Sequence, residues 1–440
     1  MQALNNNHYF PMRRIALSIA LLITCSLFAI EKVQFPESFA NGWDSYIGKM
    51  VQITTPLYVC GNYYDSLILA PERLYVPEER AIGLAVGDST AYWAIKQANR
   101  AQIISLTCNV RNYEVRTGAI LKNLTARVVA PGKLVTGTTP KFLNNKPDPK
   151  PKMPKGLLVC ATNIQNYFYD LGGYAHRKTT KEQQDIQTEK ISKALTHINA
   201  DIYAICEIQK GDSAAEMLVK AMNTRAKKTH YAYVSQGWNN GDTISCGYIY
   251  RTDRVRPYGD LRYGYHDPSN HYHYRMVACG FEEIKSGERF VLNVNHLRSK
   301  RGTGDESNAK RMVNVDSLLV MFSKIEQENL FGDADILLVG DYNCYSQEQP
   351  IQKLISAGYE DVLMQYDSTG YSYVYHSEAG YLDRAFASPT MAVQVKAVHP
   401  YHLNADYFYS RGYKRRLDKT MFRYADHDPI LISIQLTGDK

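Results

Sequence analysis

The 440-residue chain lacks the short motifs of the commoner nucleophile and metal enzymes. None of its eight cysteines stands in a C-x-x-C or Cys/His spacing, which excludes a structural zinc knot. No G-x-S-x-G, P-loop or H-E-x-x-H stretch appears, so a serine elbow, a triphosphate-cradling loop and a zinc-protease helix are all without a signal. Beyond residue 30 no apolar run approaches the length that crosses a bilayer. There is no long low-complexity block. Charge of one sign is not in large excess either: a net +7 permits a polyanionic partner without demanding one.

At the N-terminus, Arg13 and Arg14 precede an apolar run from Ile15 to Ile30 that is too short for a membrane span. Residues 1–29 therefore read as a secretory signal, with Leu27-Phe28-Ala29 as the cleavage site. The expected destination is the periplasm or the exterior, with no membrane insertion once the signal is removed. Thr24 before Cys25 is a poor lipoprotein signal, so anchoring there is not expected. Seven cysteines remain after the signal, an odd number that leaves at least one thiol unpaired. Cys60 with Cys108, and Cys246 with Cys279, are candidate disulfides, while Cys160, Cys206 and Cys344 lie in or beside apolar runs and read as small core residues. Tyrosine is abundant at 34, and most of it reads as sheet residue.

Residues 30–135 show short alternating runs broken by turn residues, with one helical stretch near 89–98. This predicts a small all-β domain whose size and strand count suit an OB-like barrel. Residues 136–156, with prolines at 140, 147, 149, 151 and 154 and several lysines, read as a linker. From Leu157 the pattern changes. Apolar strands begin at Leu157, Asp201, Tyr231, Thr243, Arg275, Arg289 and Pro429, and a further run covers Leu337–Val339. Helices are predicted over 180–199, where Thr180 and Gln183 have capping-box spacing, and over 213–224, 308–328 and 349–357. Residues 371–375 and 381–387 read as a hairpin. Strands and helices are mixed without strict alternation, which predicts two mixed sheets face to face with helices outside, an α/β (α+β) four-layer sandwich over 157–440. The linker separates every candidate site residue from the first domain, so that domain is expected to be dispensable for chemistry.

Polar residues recur where these strands end: Asn163, Glu207, His296, Asp341 with Asn343, Asp383, and Asp426 with His427. Asp341 and Asn343 follow Gly340 and, being two apart, share one face of an extended chain. If the strand ends converge on one rim, carboxylates, amides and two imidazoles suit metal-assisted phosphodiester hydrolysis.

The stretches LLVCATNIQNYF, ADIYAICEIQ, GDTISCGYIYR, NHLRSK, VGDYNCYSQEQPIQKLISAGYEDV, AGYLDRAFASP, HLNAD and ADHDPI occur in order across 157–436. In them the second domain resembles the DNase I-like endonuclease/exonuclease/phosphatase superfamily, and within it the secreted bacterial nuclease branch. The resemblance implies metal binding by Asn163 and Glu207, Glu207 being the principal ligand, with Asp426 and Asp341 near the metal. It implies that His296 is the first catalytic histidine and that Asp341 and Asn343 contact the scissile phosphate. Asp383 would orient His427, which would act on the phosphate or the attacking water. Asp242 matches the Gly-Asp-x-Ile of the nuclease branch and is expected to accept a hydrogen bond from His296. The family's arginines two residues after Asn163 and Glu207 are replaced by Gln165 and Gln209. Phosphate grip then falls to Arg275, Arg298, Lys300 or Arg301, and the Tyr- and His-rich stretch 258–274 is a candidate for base stacking. The expected activity is an exported nuclease using Mg2+, with Mn2+ or Ca2+ as alternatives, acting on DNA with RNA as an alternative substrate. The rival readings are a phosphatase or phosphodiesterase of the same superfamily acting on lipid or inositol phosphates, and a catalytically inactive binding protein.

Overall fold

A computed structural model describes residues 30–63, 66–110, 115–172, 179–237, 244–264, 275–302, 304–407 and 418–437. The expected signal at 1–29 and Asp242 lie outside these residues. No described helix is long and apolar enough to cross a membrane.

The second domain is the expected sandwich. One six-stranded sheet runs, in spatial order, Tyr231–Tyr233, Ile244–Arg251, Ile202–Gln209, Leu157–Tyr167, Ile430–Ile434 and Val395–Pro400. The other runs Val255–Tyr263, Met276–Glu283, Arg289–His296, Ile336–Asp341, Asp383–Ala387 and Glu360–Asp361. Each sheet has one parallel pair at its centre, Leu157–Tyr167 with Ile202–Gln209 and Arg289–His296 with Ile336–Asp341. These central strands are buried on both faces and read in sequence as near-continuous apolar runs. The inner faces meet through Val159, Ala161, Ala204 and Tyr248 on one side and Val277, Phe281, Leu292, Val294, Leu337 and Val339 on the other. The helices Lys181–Ile198 and Asp212–Arg225 cover the first sheet's outer face through Ile191, Leu195, Ile198, Leu218 and Met222. Helices Gly304–Gln327 and Gln349–Ser356 cover the second through Val315, Leu318, Phe322, Ile351 and Leu354. The predicted capping box is present: Gln183 N–H donates to Thr180 Oγ1, and Thr180 N–H to Gln183 Oε1.

Three features depart from expectation. Val255–Tyr263 was not expected because Pro257 and Gly259 interrupt it. It is an edge strand with a register shift between Tyr258 and Arg262, where a missing N–H and a glycine are tolerated. The predicted hairpin of 371–375 with 381–387 does not form. Tyr373–Tyr375 pairs with Glu378–Gly380, and Asp383–Ala387 instead joins Ile336–Asp341 in the large sheet. The candidate disulfides are also absent, all seven described cysteines being free. Cys246 faces Cys206 across the strands with sulfurs 3.8 Å apart, and burial pushes the Cys206 thiol well up.

The first domain has its strands in one sheet, in the order Glu31–Val33, Met50–Ile53, Leu124–Ala130, Lys133–Val135, Ile104–Thr107, Ser66–Ala70, Leu57–Tyr63, Ile120–Leu121 and Phe142–Leu143. One helix, Thr90–Ala101, lies within it as expected. Residues 136–156 are not a free tether. Phe142–Leu143 pairs with Ile120–Leu121, and Arg116 holds Asn145, Lys146 and Asp148 by hydrogen bonds. Lys150 Nζ donates to the carbonyls of His197 and Ile198 at the end of a second-domain helix.

Gly340 is required by the central parallel pair. Its φ is 120°, and a Cβ there would sit 2.1 Å from the carbonyl oxygen of its partner Asn295. Gly340→Ala should lower unfolding stability by at least about 2 kcal/mol, since the strained φ and the backbone overlap act together. An unchanged urea midpoint would refute this reading of the strand.

Candidate active site

The sheets bring the predicted residues to one rim, and the register shows how. His296 lies opposite Asp341, and Asp341 opposite Asp383, so three of them form a single row across three strands. Asn163 and Glu207 come from the facing sheet at irregularities. The pairing of Leu157–Tyr167 with Ile202–Gln209 slips between Asn163 and Tyr167, and Glu207 itself has φ 63°. A left-handed carboxylate residue inside a strand is strained, and such strain clusters at functional sites.

The side chains interlock. Asn163 Nδ2 donates to Glu207 Oε1 at 3.3 Å and to Asp341 Oδ2 at 3.2 Å. Its carbonyl oxygen accepts from Gln165 N–H at 2.9 Å, which fixes the amide orientation. In this arrangement Asn163 presents donors to the two carboxylates, and the atom a metal would need faces the backbone instead. Asn166, which the sequence did not single out, donates to the second oxygen of Glu207. Its signal was its place on the same irregular turn, with φ 54°. Asn343, at φ 51°, donates its N–H to Asp341 Oδ1 at 2.9 Å and its amide to Leu297 O at 3.1 Å. Asp426 is half-buried, and its charge reaches His427.

The two imidazoles differ. His427 Nδ1 lies 2.9 Å from Asp383 Oδ2, and its Nε2 lies 3.9 Å from Asp341 Oδ2. Burial pulls its pKa down, but the Asp383 and Asp341 carboxylates outweigh that and raise it well above the usual histidine value. His296 is driven the other way, well below that value, by burial first and then by Arg275 and His427. His296 Nε2 lies 3.7 Å from Glu207 and 3.6 Å from Asp341, too far for a direct hydrogen bond. Among the described residues His296 Nδ1 has no partner; its expected acceptor, Asp242, lies outside them. Burial pushes the Asp341 carboxyl up to about 7, with Asp383 and Glu207 adding to the rise and His427 opposing it.

Of the phosphate-gripping candidates, Arg275 is close enough to act on His296. Lys300 is instead bound to Glu348 at 2.5 Å and lies over the Tyr345 ring. Arg298 contributes its backbone N–H to Asn314 Oδ1. Most of the Tyr/His-rich stretch lies at 265–274, outside the described residues.

The sequence also missed the first domain's part in this site. Glu79, on the short helix Pro77–Arg80 and only 2 % exposed, reaches into the second domain. Its carboxylate accepts from Ser346 Oγ (2.6 Å), Ser346 N–H (3.3 Å), Tyr381 N–H (3.4 Å) and Arg384 Nη2 (3.3 Å). Arg384 is fully buried beside Asp383, and its other carboxylate partner is Asp361 at 3.4 Å. Glu79 therefore ties together the chain just after Asn343 and the strand that carries Asp383. These contacts argue against the expectation that the first domain is dispensable.

Comparison with known proteins gives a consistent picture. Residues 165–378 match the model of the Endonuclease/Exonuclease/phosphatase family. No curated protein matches the chain. Among solved structures, an endonuclease/exonuclease/phosphatase from Bacteroides vulgatus is 12% identical, aligned over 64% of this chain and 100% of its own, with a TM-score of 0.44. A mannosyl-6-phosphatase from Bacteroides thetaiotaomicron VPI-5482 is 16% identical, over 64% and 100%, with a TM-score of 0.45. An AP endonuclease from Archaeoglobus fulgidus is 12% identical, over 64% and 100%, with a TM-score of 0.41.

Two tests follow from the geometry. Glu79→Ala leaves Arg384 buried with half its compensation, and should cost about 3–5 kcal/mol of stability in urea unfolding. A loss below about 1 kcal/mol would show that Asp361 and Ser346 suffice. Asp383→Asn removes the largest attraction that raises His427. The ring should then lose its proton at lower pH than in the parent, read by NMR titration of the imidazole, and the alkaline limb of kcat/KM should move to lower pH with it. The same pair stabilises the fold fully below about pH 6.5 and loses that contribution as pH rises through the raised value. An unmoved titration would exclude Asp383 as the cause.

Proposed function

We propose that the chain is a divalent-metal-dependent phosphodiesterase that hydrolyses nucleic acid, DNA with RNA as an alternative, and that it is exported to the periplasm or beyond. The observation that carries the reading is the His427–Asp383 pair facing Asp341 and Glu207 across one buried rim, with His296 beside them. Support for export is the Arg13-Arg14 pair followed by the Ile15–Ile30 apolar run. An OB-like reading of the first domain is supported by strand order. Met50–Ile53 and Leu57–Tyr63 are successive pieces of one chain segment, so the sheet returns on itself through five strands.

The donor set fits a hard cation. Glu207 and Asp341 are carboxyl groups that share one amide donor and converge on the two histidines. Among the described residues no group of three or more His, Cys, Asp or Glu side chains is placed to hold a metal ion by itself, so water and substrate oxygens would have to complete the coordination. An open oxygen site completed by water and phosphate is the arrangement Mg2+ takes. When bound there, with Glu207 and Asp341 as its holders and Asp426 nearby, the ion would polarise a phosphoryl oxygen and offset charge developing on it.

The chain's own groups account for the proton movements. Water adds to phosphorus and the P–O ester bond breaks, so one proton leaves the water and one reaches the departing oxygen. Asp341, whose Oδ2 lies beside both imidazoles, is placed to accept the first. Protonated His427 presents Nε2–H to the departing oxygen and supplies the second, while Asp383 holds the ring's other nitrogen. His296, kept neutral by burial, leaves the oxygen-lined space without a second permanent positive charge.

Activity should vanish in excess EDTA and return with Mg2+. Glu207→Gln should lower kcat/KM by at least ~10²-fold, the scale of losing a principal electrostatic stabiliser. Plasmid, RNA and a panel of phosphorylated lipids offered in parallel decide the substrate class. Cleavage that persists in EDTA, or turnover confined to the lipids, overturns the proposal.

A further inference from the structure

Between Ser372 and Tyr381 the chain forms a hairpin that belongs to neither large sheet. Tyr373–Tyr375 pairs antiparallel with Glu378–Gly380. His376 and Ser377 between them have φ of 48° and 70°, the two positive values that a two-residue turn demands. Neither is glycine, so the turn is strained, and an isolated two-stranded hairpin is marginal in water.

The first domain holds it in place. Ala379 N–H donates to Leu74 O at 2.8 Å, and Val76 N–H donates to Ala379 O at 3.0 Å. Asn99 Nδ2 donates to Glu378 Oε1 at 2.6 Å, with Lys96 3.4 Å from the other oxygen. Gly61 lets the turn come close: a Cβ there would lie 2.0 Å from Ser377 Oγ and 3.1 Å from Ser377 Cα.

What the clamp holds out is aromatic and sits at the catalytic rim. The Tyr373 ring lies 4.5 Å from the His427 ring. The Tyr375 ring lies 6.4 Å from that of Tyr373 and only 12° off parallel to it, and His376 meets Tyr375 edge-on. Tyr375 is 55 % exposed. A strained turn, braced by the first domain, thus displays a nearly parallel pair of tyrosines that starts beside His427 and leads outward.

We propose that this hairpin is a base-stacking subsite, in which Tyr375, aligned by Tyr373, receives an unpaired nucleobase adjoining the phosphodiester that is cut. The inference rests on the nucleolytic reading above. Stacking on tyrosine accepts any base but needs its face uncovered, so the subsite favours single-stranded or locally opened substrate over intact duplex.

The test compares two single strands of about a dozen units, one of ordinary nucleotides and one abasic throughout, so that phosphates are matched and only bases differ. With the full chain, Tyr375→Ala should raise KM for the nucleotide strand about tenfold, leave kcat near the parent's, and leave the abasic strand unaffected; Tyr375→Phe should restore KM. Gly61→Ala, which displaces the turn from the first-domain side, should raise KM in the same base-dependent way. An unchanged KM in Tyr375→Ala, or an equal loss on both strands, overturns the stacking subsite while leaving the nucleolytic reading intact. If the parent cleaves neither strand in Mg2+, the nucleolytic reading fails and the subsite with it.

Discussion

The site depends on keeping two carboxylates together, one buried and one half-buried. Glu207 and Asp341 share one donor group, the Asn163 amide, and each lies within 4 Å of His296 Nε2. Burial pushes the Asp341 carboxyl up, and the neighbouring Asp383 and Glu207 charges add to that rise. Much of the surrounding structure offsets that repulsion. The Asn163 carbonyl is fixed by Gln165 N–H so that its amide hydrogens face the carboxylates, Asn166 serves the other oxygen of Glu207, and Asn343 N–H serves the other oxygen of Asp341. Several of these groups sit in left-handed backbone: Gln165, Asn166, Glu207 and Asn343. The strain is concentrated where a regular ladder would have pointed the same side chains elsewhere.

A second buried charge explains why two domains enclose one site. Arg384 is wholly inside the protein, and burial alone would favour losing its proton; Glu79 and Asp361 reverse that. One of these partners belongs to the first domain. An uncompensated buried guanidinium would be far more disruptive than a missing surface contact. A parallel tie joins the domains farther along: Arg116 and Thr117 of the first both bind Asp406 of the second. Asp406 is pulled below the usual carboxylate range because, although burial raises it, His402, Arg116 and Arg73 outweigh that. The segment 136–156, although proline-rich, is paired and hydrogen-bonded against both domains. Composition signals how stiff such a segment is in isolation, and says nothing of the surface it lies on.

That contrast marks what the sequence could reveal. The sandwich was legible because its central strands are buried on both faces and appear as uninterrupted apolar runs, Leu157–Ala161 and Ile336–Val339 among them. Most of the site was legible because its residues follow such runs, and the register then places His296, Asp341 and Asp383 in one row. Edge strands were less legible. Val255–Tyr263 and Val395–Pro400 each lie at the margin of a sheet, where proline and polar residues are allowed. Residues acting across the domain boundary were not legible at all. Glu79 sits in a four-residue helix of ordinary charged composition, and only its burial against Ser346 and Arg384, more than 260 positions away, separates it from a surface carboxylate. The tyrosines beside His427 were hidden for a related reason. Stacking was expected within 258–274 on composition, whereas the near-parallel pair beside His427 is Tyr373 with Tyr375, in a segment that the sequence assigned to a different hairpin.

The opposite titration of the two histidines gives the site a direction. Both rings are buried, so burial acts against protonation in each. The difference comes from neighbours: Asp383 lies at 2.9 Å from His427, while His296, with Glu207 and Asp341 no nearer than 3.6 Å, is lowered by burial first and then by Arg275 and His427. Once His427 holds its proton, its charge helps keep His296 neutral, so the two states reinforce each other. Environments that push two like groups apart are the usual route to distinct roles at one pH. Here the divergence follows from the sheet itself. Asp383 lies beside Asp341 on the adjoining strand, so His427 meets a continuous pair of carboxylates, whereas His296 lies on the far side of Asp341, where the register of its own sheet places Met276 opposite Asn295. A positive ring on one flank and a neutral ring on the other is thus a consequence of strand order.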